Sequence, residues 1–215
     1  MEKYWQPLYF YARRQGLSSQ DAEDATQSFM MRLVESDFLE TADPAKGRFR
    51  SYLLTHWKRF LIDRARAEGR IKRGGHASVV SLSYAPAEED WVRWSASSPQ
   101  GGARGGCDPD QAFEEEWARS ILRNTVEHLR AEYTSSHRGA TFDLLIPYLT
   151  RPVVAETYML LSKQLSVSVG AAKVALHRLR HRFAQELRAN VQATIEDPSD
   201  LEAEIRILQA YLHST

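Results

Sequence analysis

Residues 46–73 read KGRFRSYLLTHWKRFLIDRARAEGRIKR. The stretch is strongly basic, yet Phe49, Tyr52, Trp57 and Phe60 are set among its charges. Wound from Arg50 to Glu68 as a helix of about 3.6 residues per turn, it separates into two faces. Leu53, Leu54, Trp57, Phe60 and Leu61 cluster on one side. Thr55, Lys58, Arg59 and Arg66 lie roughly opposite, with Tyr52 and Asp63 at their edge. One face is fit for burial against other helices, and the other is a row of cations. A polyanion suits that row, because each Lys or Arg that neutralises a phosphate releases a condensed counterion. Aromatics beside cations also stack on unpaired bases, at about 1–3 kcal/mol per base. The plainer alternative is an amphipathic surface helix whose charges are simply solvated. The surrounding sequence has to decide between the two.

Working outward, charge alternates in long blocks. Ser19 to Asp43 is acidic and Lys46 to Arg73 basic. Asp108 to Glu116 is acidic again, Lys173 to Arg188 basic, and Glu196 to Glu204 acidic. The blocks cancel to a formal net charge of zero over 215 residues, so bulk charge gives no hint of nucleic acid. Their distribution points to two separate basic surfaces; a merely solvated chain interleaves its signs more finely. No apolar run approaches the roughly 18 residues of a membrane span, and MEKYWQPLYF does not read as a signal peptide. The only cysteine, Cys107, excludes a disulfide framework or a Cys-based zinc site within one chain. A reducing cytoplasm is the expected compartment.

Tyr4 to Gln15 reads as a helix ended by Gly16. Ser18-Ser19-Gln20-Asp21 starts a second, with Ala22, Ala25, Phe29, Met30, Leu33 and Val34 at helical spacing. Its outer face carries Asp21, Asp24, Gln27, Ser28 and Arg32. Thr41 to Gly47 is a loop, and the basic aromatic helix follows. Residues 74–110, rich in Gly, Pro and Ser, read as a linker without helical period. Trp91 and Trp94 are unusual there and are expected to dock on a surface. So long a structureless run argues for two domains. The expected class is all-α, two small helical domains joined by a flexible linker, with boundaries at 1–73, 74–110 and 111–195. A C-terminal helical extension over 196–215 follows.

Asp110 is expected to cap a helix from Gln111 to Tyr133, with Phe142 to Leu149 a short helix after a loop. Pro152 fits the first turn of a helix to Leu165, and Ser166-Val167-Ser168 a tight turn into a last helix, Val169 to Ile195. That last helix buries Ala172, Leu176, Leu179, Phe183 and Leu187. Its opposite face presents Ala171, Val174, His177, Arg178, His181 and Arg182, flanked by Lys173 and Arg180. Two helices on so short a turn, the second basic and small at its start, describe a DNA-reading helix-turn-helix. Lys173 or Arg178 suits a guanine edge or a backbone phosphate. His177 and His181 have the spacing of a metal pair, but no carboxylate or cysteine joins them, so no metal site is expected. No cofactor motif, phosphate-cradling loop or nucleophile motif occurs, and no enzyme activity is expected.

Three stretches in order resemble the bacterial RNA polymerase sigma factors of the ECF (extracytoplasmic function) type, with a short C-terminal extension. YWQPLYFYARRQGLSSQDAEDATQSFMMRLVES is similar to the start of sigma region 2. DPAKGRFRSYLLTHWKRFLIDRARAEGR is similar to its promoter-melting and −10-reading part, and TYMLLSKQLSVSVGAAKVALHRLRHRF to the −35-reading region 4. The resemblance implies a promoter-specificity subunit that directs transcription initiation. Its implied partners are RNA polymerase core, through the largest-subunit coiled coil and the flap, and promoter DNA, duplex and melted. An anti-sigma factor or other regulator is a further implied partner. By position, Asp21, Asp24, Gln27 and Arg32 fall on the core-binding helix. Lys46, Arg48, Phe49, Arg50 and Tyr52 fall on the loop that captures a flipped −10 base, and Thr55, Lys58, Arg59, Asp63 and Arg66 on the adjoining helix. Ser168, Ala171, Lys173, Val174, His177, Arg178 and Arg182 fall on the −35 helix. Ser166 stands where the family has glycine, which asks a serine to take positive φ. The alternatives from the residues alone are a stand-alone helix-turn-helix regulator with an N-terminal dimerisation or interaction domain, and a helical adaptor with solvated basic faces.

Overall fold

A computed structural model of the chain describes residues 4–35, 48–68, 84–97, 108–195 and 197–214. Among them the structure is all-α, with no strand. In chain order the α-helices are α1 (Trp5–Arg14), α2 (Ser19–Glu35), α3 (Phe49–Glu68), α4 (Ala85–Ser97) and α5 (Pro109–Ser135). They continue with α6 (Gly139–Leu145), α7 (Ala155–Gln164), α8 (Val169–Gln192) and α9 (Leu201–Ser214). Two compact units divide between Ser120 and Ile121, so α5 gives its first half to one and its second half to the other.

In the first unit the apolar stripes anticipated on α2 and α3 are largely buried, Phe60 and Leu61 only in part. Leu8, Tyr9, Phe10 and Ala12 of α1 meet Ala22, Ala25, Phe29, Met30 and Leu33 of α2. Leu53, Leu54 and Trp57 of α3 are also inside. Phe29 sits at the junction, its ring 5.0 Å from Trp57 and 5.3 Å from Phe60. Val34, on the predicted apolar stripe, is instead 75% exposed at the end of α2.

Residues 85–97, read above as linker, form α4. The reason is tertiary. Tyr84, Ala87 and Trp91 are buried against α1, with Tyr84 on Trp5 and Tyr9 and Trp91 edge-on to Phe10. Glu88 accepts a hydrogen bond from the Tyr9 hydroxyl and pairs with Arg13 at 3.1 Å. Trp91 thus docks as expected; the Trp94 side chain lies outside the described residues.

α5 begins two residues earlier than expected. Asp108, not Asp110, caps it, its carboxylate accepting the Asp110 N–H at 3.1 Å, with Pro109 in the first turn. In the second unit Ile121 and Leu129 of α5, Phe142 and Leu145 of α6 and Leu161 of α7 are buried. Leu176, Leu179, Leu187 and Val191 of α8 join them. A buried bond ties α5 to α8, Asn190 Nδ2 donating to Thr125 Oγ1 at 3.1 Å. α7 starts at Ala155 rather than near Pro152, because the β-branched Val153 and Val154 stay outside it, Val154 with extended backbone. α9 packs on α8, burying Ile205 and Leu208 and pairing Glu202 with Arg188. Among the described residues no helix is long and apolar enough to cross a membrane.

Candidate nucleic-acid interface

The basic face of α3 divides into exposed and engaged residues. Thr55, Arg59, Asp63 and Arg66 are exposed. Thr55 returns its hydroxyl to Ser51 O, and Arg66 lies 3.6 Å from Asp63. Arg48, Phe49 and Tyr52 are half-buried at the start of the helix. Lys46 lies outside the described residues.

Arg50 is placed differently from the expectation of an open DNA-binding cation. It is only 5% exposed. Its Nε and Nη2 donate to the two carboxylate oxygens of Glu114 at 2.9 and 2.8 Å. Its guanidinium also lies 3.9 Å from the ring centroid of Trp117, itself fully buried. The forked pairing and the aromatic face are what a planar guanidinium satisfies best. Lys58 is engaged more loosely, 2.5 Å from Asp110, with both side chains partly exposed. Partial burial works against its charge, but the hydrogen bond and the negative charge of Asp110 outweigh that and raise its pKa.

α2 presents Asp21, Asp24, Gln27 and Arg32 toward solvent, Gln27 half-buried. Asp21 also has a local task. It accepts the Ser18 hydroxyl at 2.7 Å while its own N–H donates to Ser18 Oγ at 3.1 Å, closing the helix start. Glu23 on the same helix is half-buried. Burial, with Asp24 and Glu88 nearby, raises its pKa, and Arg13 opposes this.

In the second unit α7 and α8 are joined by a turn in which Ser166 takes φ +54°. Val167 N–H reaches Ser162 O and Ser166 N–H reaches Lys163 O, a closure that needs a left-handed residue at that point. Ser168 caps α8 by accepting the Ala171 N–H at 3.1 Å. Ala171, Lys173, Val174, His177 and Arg178 are exposed along one side of α8. Lys173 Nζ also sits 5.4 Å from the Tyr158 ring centroid. Arg182 is engaged within the unit, forking onto Glu132 and lying 3.2 Å from Glu186. The bond to Glu132 raises its pKa. Among the described residues no group of His, Cys, Asp and Glu side chains has the arrangement of a metal site.

One residue was read differently and another escaped the sequence reading. Arg180, read as flanking the basic face of α8, instead donates Nη2 to the carbonyls of Tyr148 and Arg151 at 2.8 and 2.6 Å, fastening the approach to α7. His56, ignored among the polar residues of α3, lies 4.4 Å ring to ring from Tyr52. Its i+4 spacing from Tyr52 was the available signal.

No curated protein and no solved structure matches the chain. Residues 1–71, about a third of the 215, match the family model of Sigma-70 region 2.

Proposed function

We propose that the chain is a dissociable promoter-specificity subunit of the ECF type, without enzyme activity, working in the cytoplasm on RNA polymerase core. The observation that carries the reading is the Sigma-70 region 2 match over the segment holding α1, α2 and α3. The exposed acidic face of α2 is the core-binding surface, and the start of α3 is the strand-opening one. The part of residues 111–195 that lies in the second unit, from Ile121 on, is the upstream-element reader of this proposal, with α7, the turn and α8 as a helix-turn-helix. Arg178 takes a guanine edge or phosphate. Ser168 and Arg182 act through structure, Ser168 as a cap and Arg182 by tying α8 to α5. An anti-sigma factor or other regulator is a further partner of this reading.

The physical logic is differential binding. Unstacking a base costs a few kcal/mol, which contacts made only to the extruded base offset. Capture of the chain by polymerase core, followed by transcription in vitro from a genomic promoter library, tests the proposal. Start sites sharing two elements at fixed spacing are expected. Tight, specific duplex binding without polymerase, and no capture by core, would instead identify a stand-alone regulator. Arg178→Ala is expected to cost about 1–3 kcal/mol in upstream-element recognition if the contact is to a base.

A further inference from the structure

The acidic block 108–116 and the basic helix α3 are far apart in sequence, yet two ion pairs join them within the first unit. Arg50 pairs with Glu114, and Lys58 with Asp110 at 2.5 Å. The two pairs differ in kind. Arg50 is buried and forked onto its carboxylate, so it fastens the start of α5 in place. Lys58 and Asp110 remain 38% and 41% exposed. An ion pair that open adds little stability and is screened by salt, so its partners exchange readily. The cap of α5 is Asp108, which leaves the carboxylate of Asp110 uncommitted to closing the helix.

Lys58 stands on an open face of α3. Thr55 and Ile62, one turn to either side of it, are exposed, as are Arg59 and Arg66. Beside the pair lies an open cleft of about 600 Å³, lined in part by Tyr11, Leu61 and Ile62, so the ammonium can swing without the backbone moving. A phosphate that reaches this face meets a cation already neutralised, with a carboxylate beside it.

Each cation that contacts a phosphate adds to affinity for DNA of any sequence. Such sites are in vast excess, and they compete with polymerase for a subunit that has to find it first. A cation held by the chain's own carboxylate is taken out of that competition.

We propose that Asp110 is an internal stand-in for a backbone phosphate, neutralising Lys58 and so withholding one cation of α3 from duplex DNA. The inference rests on the reading of α3 as a DNA-binding helix.

The test titrates the full chain with a mixed-sequence duplex of about 20 base pairs, by fluorescence anisotropy between about 50 and 200 mM salt. Asp110→Asn is expected to tighten binding about fivefold at the low end and to steepen the slope of log K against log salt by about 0.9, the share of one phosphate. Lys58→Ala added to Asp110→Asn is expected to return both to the wild-type value. A gain that survives in the double variant comes from the lost carboxylate alone and overturns the inference. So does a folded Asp110→Asn chain with the wild-type affinity and slope, which marks a purely structural Asp110. Absence of duplex binding by all three chains overturns it as well. Asp110→Ser repeats the measurement if the Asn variant folds poorly. Capture by polymerase core, measured alongside, separates the two claims. Capture with no Asp110 effect leaves the sigma reading standing and removes the restraint. An Asp110-dependent slope without capture does the reverse.

Discussion

Ser166 holds a backbone conformation that glycine adopts at less cost. A left-handed residue with a Cβ is strained by about 1–2 kcal/mol, part of which glycine returns through its freer unfolded chain. Ser166→Gly is therefore expected to raise stability by up to about 1 kcal/mol, read as a higher urea midpoint with unchanged slope. Gly16, at φ +91°, gives the opposite case. A Cβ there meets nothing within 4 Å, so the strain of Gly16→Ala is conformational alone, and a loss of about 1 kcal/mol or more is expected. Glu23 makes a third prediction at this scale. Its folded pKa is raised, so the fold favours the protonated acid, and that contribution is lost as pH rises through the folded value. Glu23→Gln is expected to raise the Tm at pH 7. The gain should shrink as pH falls through the raised folded value and vanish below about 4.3, the ordinary glutamate value, where the wild-type acid is neutral in both states. An equal gain at all pH values would remove the electrostatic explanation.

At the scale of elements, α3 and α8 were legible because periodicity is local: each buries the stripe its own spacing draws. α4 was not. Its short sequence sits between Gly- and Ser-rich flanks, and what holds it is Tyr84 and Trp91 meeting α1, partners some eighty residues earlier in the chain. Pattern along a segment does not show a contact at that separation. Trp91→Ala is expected to cost about 3 kcal/mol or more, with amide protection lost in Ala85–Ser97 while Leu53–Trp57 keeps it. Uniform loss across both segments would mean that α4 is not a separately opening piece. The same blindness explains the candidate site. Thr55, Arg59 and Arg66 emerged on an open face as read, but the cationic row gave no sign that Arg50 turns inward or that Lys58 meets Asp110. His56 was passed over because composition counts a histidine as polar, whereas its neighbours make it a ring among rings.

For the whole molecule, the C-terminal extension is part of the second unit's packing. Ending the chain at Asp200 removes Ile205 and Leu208 from α8. At about 1.5–3 kcal/mol for each buried side chain, that unit should melt several degrees earlier in calorimetry. An unchanged transition would free the extension for another task. Arg50 and Glu114 stand 64 positions apart, yet each completes the other. Arg50→Ala strands one carboxylate and should cost about 2–4 kcal/mol, while exchanging both for a well-packed apolar pair costs far less. The consequence is one of inheritance. The two positions can drift only together. A chimera that grafts residues 1–73 onto the second half of another parent's chain divides the pair between two lineages, and folds well only where the foreign half happens to supply a carboxylate at the same place.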